Sequence, residues 1–373
     1  EQKDGYLSGD GLLVSWCIGH LISMADAGSY DERYKKWRYE DLPILPQAWK
    51  YAPTPGKEKQ LAVLKELLHR SDVSEVVNGC DAGREGELIF RFVYEQAGCT
   101  KPFSRLWISS MEDSAIREGF AGRRAGTEYD ALYQSALCRA RADWLVGINA
   151  TRLFSVLYHK TLNVGRVLSP TLNLLVERDG KITMFHKEKY HIVHIGCGGV
   201  DAKSERISDA TAADALKTAC EASQAVCVSL KKEKKTALPP KLFDLTSLQR
   251  EANRVYGFTA KQTLDYAQSL YEKRFLTYPR TDSNYLTEDM AQTATDLAAA
   301  LLPVLPFMQG AELMPEIGRV INSAKVSDHH AIIPTTAFAR SGFDGLPESE
   351  KKLMSLVCCK LLCAVAAPQE YET

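Results

Sequence analysis

Val76 to Cys80 (VVNGC) runs directly into Asp81 to Glu87 (DAGREGE), and the apolar residues of Leu88 to Tyr94 follow. A strand-like run, read as Val73 to Cys80, thus ends in Asp and Gly before a helical pattern begins. Sheets of the α/β class build their sites at this junction, outside the carboxyl end of a strand. Carboxylates at 81, 85 and 87 can converge there. Oxygen donors with open positions suit Mg2+, which keeps several waters and takes phosphate as a further ligand. The same residues also read as a loop of solvated charges at a helix N-terminus, where acids are favoured. Upstream, Gly11 to Ile18 (GLLVSWCI) is strand-like, and Lys57 to His69 carries Leu61, Leu64, Leu67 and Leu68 at helical spacing. Strand, helix, strand, helix predicts an α/β unit with parallel strands.

Farther out the pattern changes. Asp31 to Ala52, rich in Tyr, Trp, Lys and Pro, reads as an excursion from the sheet. Glu128 to Glu177 is helical, with Pro170 early in a helix. Glu188 to Ser229 reads as β-containing at Tyr190 to Ile195 and Val226 to Ser229, with a helix from Ala210 to Glu221. Lys231 to Lys235 (KKEKK), then Pro239 and Pro240, predicts a hinge. Leu245 to Glu272 is helical, and Leu353 to Ala367 reads as a buried core helix. No repeat of 20 to 50 residues is apparent.

At 373 residues the chain exceeds one simple core, so two to four domains are expected. Its 46 Lys and Arg balance 47 Asp and Glu, which excludes a uniformly basic nucleic-acid binder but not a local basic groove. No run reaches the roughly 18 apolar residues of a membrane helix. Ten cysteines at irregular spacings lack a C-x2-C pair, so reduced, structural thiols in a cytosolic protein are expected. The chain opens at Glu1 without Met or a secretory signal, and a fragment of a longer protein is expected.

Two further clusters carry chemistry. Phe275 to Ser283 (FLTYPRTDS) places Tyr278 before Pro279, which pushes its backbone towards extended geometry. Arg280, two residues on, then shares a face with Tyr278. A phenol and a guanidinium on one face can meet one phosphate, the phenol attacking and the guanidinium stabilising charge. One of 16 tyrosines, Tyr278 also reads as packing. Asp328 to Thr335 (DHHAIIPT) reads as a phosphodiester holder, a proton-transfer site, a zinc site short of a third ligand, or a plain loop.

These motifs together resemble the type IA DNA topoisomerases, most of all the bacterial topoisomerase III branch. The resemblance rests on Gly19 and His20, on DAGREGE at 81–87, on RADWLVGIN at 141–149 with Thr151 and Arg152, on GRVLSP at 165–170, and on LTYPRTDS at 276–283. The stretches 248–270 and 329–334 add to it, and nearly the whole chain is covered. The resemblance implies a multidomain α/β plus α fold: a TOPRIM domain over 1–127, a helical DNA-binding domain over 128–184, a β-rich arch segment and hinge over 185–240, and a tyrosine-bearing helical domain over 241–373.

By the same resemblance Tyr278 is the nucleophile of a 5′-phosphotyrosine link, Arg280 clamps the scissile phosphate, and His329 lies near the active site. Asp81 and Glu85 match positions that hold Mg2+. His20, Trp37, Trp144, Arg152, Gly165, Arg166, Ser169 and Pro170 match positions that contact single-stranded DNA. Local chemistry agrees at Lys35 to Arg38, where charge alternates with an aromatic ring, as in proteins that track a strand and stack a base. Trp37 also reads as a buried anchor, and Arg141 and Asp143 beside Trp144 as an internal ion pair. Gly165 before Arg166 allows close approach to a phosphate.

The resemblance further implies ATP-independent cleavage, passage and rejoining of single DNA strands by a monomeric cytoplasmic enzyme, with a helicase as a protein partner left open. There are departures. The strand and loop that open the TOPRIM domain with a Glu and a Lys are absent, Gly83 stands where the acidic motif has Asp, and the chain stops where the tyrosine domain should end. The alternative is therefore a catalytically impaired fragment that binds single-stranded DNA.

Overall fold

The computed structural model describes residues 1–108, 113–308, 310 and 312–373. Backbone contacts divide the chain into two units, 1–164 with 237–369, and 165–236 with 370–373.

In the first unit, strands β1 (Gln2–Lys3), β2 (Tyr6–Gly9) and β3 (Leu12–Ser15) form an antiparallel meander. Asp10 and Gly11 join β2 to β3 with positive φ at both positions (38° and 76°). That geometry matches the right-handed twist of a two-residue hairpin, and Asp-Gly is its usual sequence. It corrects the reading of Gly11 to Ile18 as the first strand of a parallel unit, because a tight hairpin returns the chain antiparallel. Strand β4 (Ile22–Met24) pairs antiparallel with β5 (Tyr51–Pro53), so the chain between them makes an excursion at 25–50, while Tyr51 and Ala52 at the end of the expected Asp31 to Ala52 stretch belong to a strand.

Helix α1 (Glu58–His69) leads to β6 (Val76–Asn78), α2 (Arg84–Gln96) and β7 (Phe103–Arg105). Strands β6 and β7 pair in parallel, a β-α-β step that falls one element later than the expected one from Gly11–Ile18 to Val73–Cys80. Helix α3 (Asp113–Ala121) precedes β8 (Arg124–Ala125), which lies antiparallel to β7. Helix α4 (Asp130–Tyr158) runs for 29 residues. The core forms where Leu88, Phe92 and Val93 of α2 meet Leu21, Ile22, Leu61, and Tyr133, Ala136 and Leu137 of α4. Each large apolar side chain so buried contributes about 1.5–3 kcal/mol.

The second unit begins with α5 (Leu168–Thr183). Strands β9 (His194–Cys197) and β10 (Val200–Lys203) form a hairpin across Gly198 and Gly199, both at positive φ. Helix α6 (Ala210–Glu221) has the predicted bounds, and the Asp209 carboxylate accepts from the Thr211 and Ala212 N–H groups at its start. Strand β11 (Lys234–Ala237) pairs with β12 (Gln369–Glu372). Two expectations change here. Val226 to Ser229 is not a strand, since no neighbouring strand supplies its hydrogen bonds. Part of the expected hinge is instead a strand, paired with the returning chain end.

The rest of the first unit is helical: α7 (Leu245–Tyr256), α8 (Ala260–Glu272), α9 (Ala291–Leu301), α10 (Thr336–Ser341) and α11 (Glu348–Val365). The predicted helix from Leu245 to Glu272 is two helices. Gly257 caps α7 at φ 70°, and Thr259 with Gln262 forms a capping box on α8. Helix α11 is the expected core helix, burying Leu353, Met354, Val357, Cys358, Leu361 and Leu362. Cys363 is exposed instead, because it falls on the opposite face from Cys358. All ten cysteines are free. Among the described residues no helix is long and apolar enough to cross a membrane.

Candidate active site around Asp81 and Tyr278

Residues 78–81 continue β6 into the N-terminus of α2. The Arg105 side chain, fully buried, fixes this turn by donating to the carbonyls of Asn78 (2.9 Å), Cys80 (2.6 Å) and Asp81. Gly86 closes it, because a Cβ there would lie 2.1 Å from the Asp81 carbonyl oxygen. Only a residue without a side chain lets α2 approach so near.

Of the three expected carboxylates, Asp81 and Glu85 are exposed and Glu87 is not. Glu87 is completely buried, accepting from Arg91 Nε (2.9 Å) and Asn78 Nδ2 (2.9 Å). Arg105 Nε lies 3.2 Å from its other side without hydrogen-bond geometry. Burial pushes the Glu87 carboxyl up, and the two guanidinium groups pull it back. Glu87 therefore braces α2 against β7, which corrects its inclusion in a converging acidic set.

The tyrosine segment is laced to residues 329–335. The Thr277 N–H donates to the Ile333 carbonyl (3.0 Å), the Ile333 N–H to Thr277 Oγ1 (2.9 Å), and Thr281 Oγ1 to the His329 carbonyl (2.8 Å). This register sets the His329 ring against the Tyr278 ring, 4.2 Å between centroids. His329 Nε2 in turn lies 3.8 Å from Asp81 Oδ2. His329 holds the Asp81 carboxyl below its ordinary value. Burial raises the Tyr278 phenol, as does the negative charge of Asp81, while the positive charge of Arg280 opposes both. Tyr271 packs edge-on against Tyr278 at 5.4 Å, a neighbour that no sequence signal marked. His330 is half-buried, with Nδ1 2.8 Å from the Ala331 carbonyl, and burial lowers its pKa.

The acidic side holds two more contacts. His20 Nε2 lies 3.4 Å from Glu85 Oε2. Asp328 packs its carboxylate onto Gly83. Desolvation raises the Asp328 carboxyl, and Asp282 and Asp81 add to the rise against His329 and Arg84.

Elsewhere in this unit, a cleft of about 790 Å³ is lined by Ser29, Lys35, Trp37, Thr151, Arg152 and Asn163 among others. Trp37 is 44% exposed, so it is not a buried anchor. The Arg152 guanidinium lies 5.5 Å from the centre of its ring and donates to the Tyr34 carbonyl (2.8 Å). Trp144 sits in an aromatic cluster with Tyr30 and Trp49, its indole N–H donated to the Ala25 carbonyl. In the second unit, the Gly165 N–H donates to Ser169 Oγ (3.2 Å), and Pro170 stands in the first turn of α5. Arg166 lies in the turn just before α5.

An acidic loop at the end of a parallel strand, met by a tyrosine from a helical lobe, defines the class: a Toprim protein with its own phenol nucleophile candidate. The Toprim domain model matches residues 4–111 and the DNA topoisomerase model residues 127–373. The chain belongs to the type IA DNA topoisomerase family. DNA topoisomerase 3 of Bacillus licheniformis and that of Bacillus subtilis are each 41% identical to it, over 100% of this chain and 52% of theirs. The chain thus spans about half the length of the curated relatives it matches. Full-length topoisomerase I from Thermotoga maritima superposes with a TM-score of 0.67 at 26% identity, covering 95% of this chain and 57% of that one.

Toprim domains bind divalent metal. The donor chemistry here fits, since Asp81 and Glu85 offer exposed hard oxygens and Asp328 fills the cradle at Gly83. Among the described residues no group of three or more His, Cys, Asp or Glu side chains is placed to hold a metal ion, so the donors the chain offers here are Asp81 and Glu85. An open carboxylate set completed by water and phosphate is how Mg2+ is usually held.

Proposed function

We propose that this chain cleaves and rejoins single-stranded DNA by transesterification at Tyr278, relaxing negative supercoils or decatenating DNA. The observation that carries the reading is the line from phenol to imidazole to carboxylate, Tyr278 to His329 to Asp81. Tyr278 Oη attacks the phosphorus, an O–P bond forms to the 5′ phosphate, and the bond from phosphorus to the 3′ oxygen breaks. The phenol proton leaves towards His329 and Asp81, and the departing 3′ oxygen takes up a proton. Reversal rejoins the strand. No ATP is needed, because the phosphotyrosine keeps the energy of the diester.

Because burial and Asp81 raise the phenol, it is protonated near neutrality and needs this assistance. Arg280 meets the non-bridging phosphate oxygens. Asp81 and Glu85 would hold the divalent ion, read here as Mg2+, which would supply charge neutralisation. Trp37, Arg152 and Lys35 line the path of the strand. His20, Trp144 and the Gly165 to Pro170 segment, with Arg166 and Ser169, are assigned to DNA through the family. A monomeric state, a cytoplasmic location and a helicase partner belong to the same reading.

A labelled single-stranded oligonucleotide, mixed with the protein and quenched in denaturant, tests it. A covalent protein–DNA band is expected from the wild type and none from Tyr278→Phe, with binding retained in both. Binding without a band in the wild type would overturn the reading in favour of a binding module.

A further inference from the structure

Lys241, Tyr285 and Lys325 come from three separate stretches of the tyrosine-bearing lobe and meet at one place. Lys325 Nζ lies 4.8 Å from the centre of the Tyr285 ring and 3.4 Å from its Oη, and Lys241 Nζ lies 5.7 Å from the same centre. Both lysines are exposed and the tyrosine is half-buried. The backbone beneath them is fixed. Ser283 Oγ lies 2.9 Å from the Lys325 carbonyl and 3.3 Å from that of Tyr285, which also accepts from the Ala331 N–H (2.9 Å). Asn284 Nδ2 donates to the Leu242 carbonyl (3.2 Å) and so ties down the chain beside Lys241. Ala331 joins this patch to the nucleophile, because its carbonyl accepts from Thr277 Oγ1, one residue before Tyr278. Carboxylates of the same stretches have other partners. Asp244 accepts from the Ser247 N–H and Asn284 Nδ2, Asp282 from Ser327 Oγ, and Asp328 packs onto Gly83. Cation–π attraction draws each ammonium to the ring, but a neutral ring does not cancel two positive charges. Like charges held this closely favour an anion between them. Lys325, then Lys241, hold the Tyr285 phenol below its ordinary value.

We propose that Lys241, Lys325 and Tyr285 bind backbone phosphates of a single DNA strand on the lobe that carries the nucleophile. The two ammoniums supply positive charge, and the phenol O–H donates to a phosphate oxygen. An open face with long cationic side chains suits a run of diesters passing along it, rather than one small ion enclosed on all sides. That the polyanion is DNA rests on the proposed function. The lobe then has its own grip on the strand, separate from the cleft at Trp37, and a cut end joined to Tyr278 stays with the lobe that cut it.

Fluorescence anisotropy of a labelled single strand over a series of salt concentrations tests the proposal. Each phosphate contact steepens the fall of log K with log salt by about 0.7. Lys241→Gln combined with Lys325→Gln should therefore flatten the slope by about 1.4. Lys241→Arg combined with Lys325→Arg keeps both charges and should keep the wild-type slope. Lys59→Gln combined with Lys261→Gln removes the same net charge from lysines paired with Asp4 and Asp265, and should leave the slope unchanged. A glutamine pair at 241 and 325 that runs parallel to the wild type would overturn the proposal. So would equal flattening in the 59 and 261 pair, or an arginine pair as flat as the glutamine pair. Inorganic phosphate should displace the strand from the wild type no better than sodium chloride of equal ionic strength. A specific displacement that the glutamine pair loses would replace the strand with a small-ion site. Flattening at 241 and 325 without a covalent band in the wild type would keep the patch and sink the cleavage reading, and a band with parallel slopes would do the reverse.

Discussion

Tyr278 carries a phenol that is harder to ionise than a free one, and Asp81 is one of the causes. Removing that negative charge must therefore lower the phenol pKa. A difference ultraviolet titration of each protein against its Tyr278→Phe counterpart should show ionisation at lower pH in Asp81→Asn than in the wild type. Arg280→Ala should move it the other way, since the guanidinium favours the phenolate. An Asp81→Asn curve that overlays the wild type would separate the two groups. At this scale the site was partly legible. Tyr278, Arg280, Asp81 and Glu85 stand out because carboxylates spaced by glycine, and a tyrosine held extended by proline, have local signatures. Asp328 was read within the DHHAIIPT cluster but not as a partner of the acidic loop, since its place depends on where residue 83 lies in space.

Helix α2 shows why one acidic residue of a motif can differ from its neighbours. Glu85 and Glu87 are two positions apart, about 200° around a helix, so they point in nearly opposite directions. Glu85 faces His20 at the surface, and Glu87 enters the core between Arg91 and Arg105. Helical periodicity, applied to DAGREGE itself, would have separated them. Breaking a buried ion pair by removing one charge costs about 3–5 kcal/mol, because the partner remains buried and uncompensated. Glu87→Gln should destabilise the fold by that order in urea titration. A loss within the range of a surface substitution would mean that Asn78, Asp130 and the turn carbonyls suffice for the two arginines. The same scale explains the hairpin at Asp10 and Gly11. An apolar run marks a strand, but its pairing is set by the turn before it.

Across the whole molecule, helix α4 links core and cleft. It packs Ala136 beneath α2 and carries Arg152 roughly 24 Å further along, at 1.5 Å per residue, to the ring of Trp37. An exposed ring backed by a buried cation is suited to stack a base. Trp37→Ala should weaken single-stranded DNA binding by about 1–3 kcal/mol, read by fluorescence anisotropy, with little change in salt dependence because no phosphate contact is lost. Unchanged affinity would put the strand elsewhere. Family membership and the chemical types at the site were readable along the chain, since glycine spacing, caps, proline restriction and carboxylate runs act over a few residues. The meeting of Asp81 with His329 and Tyr278, the burial of Glu87 and the filling of the Gly83 space were not. Each depends on segments far apart in sequence packing together, and that outcome is settled by the cores around α2 and α11 rather than by any local pattern.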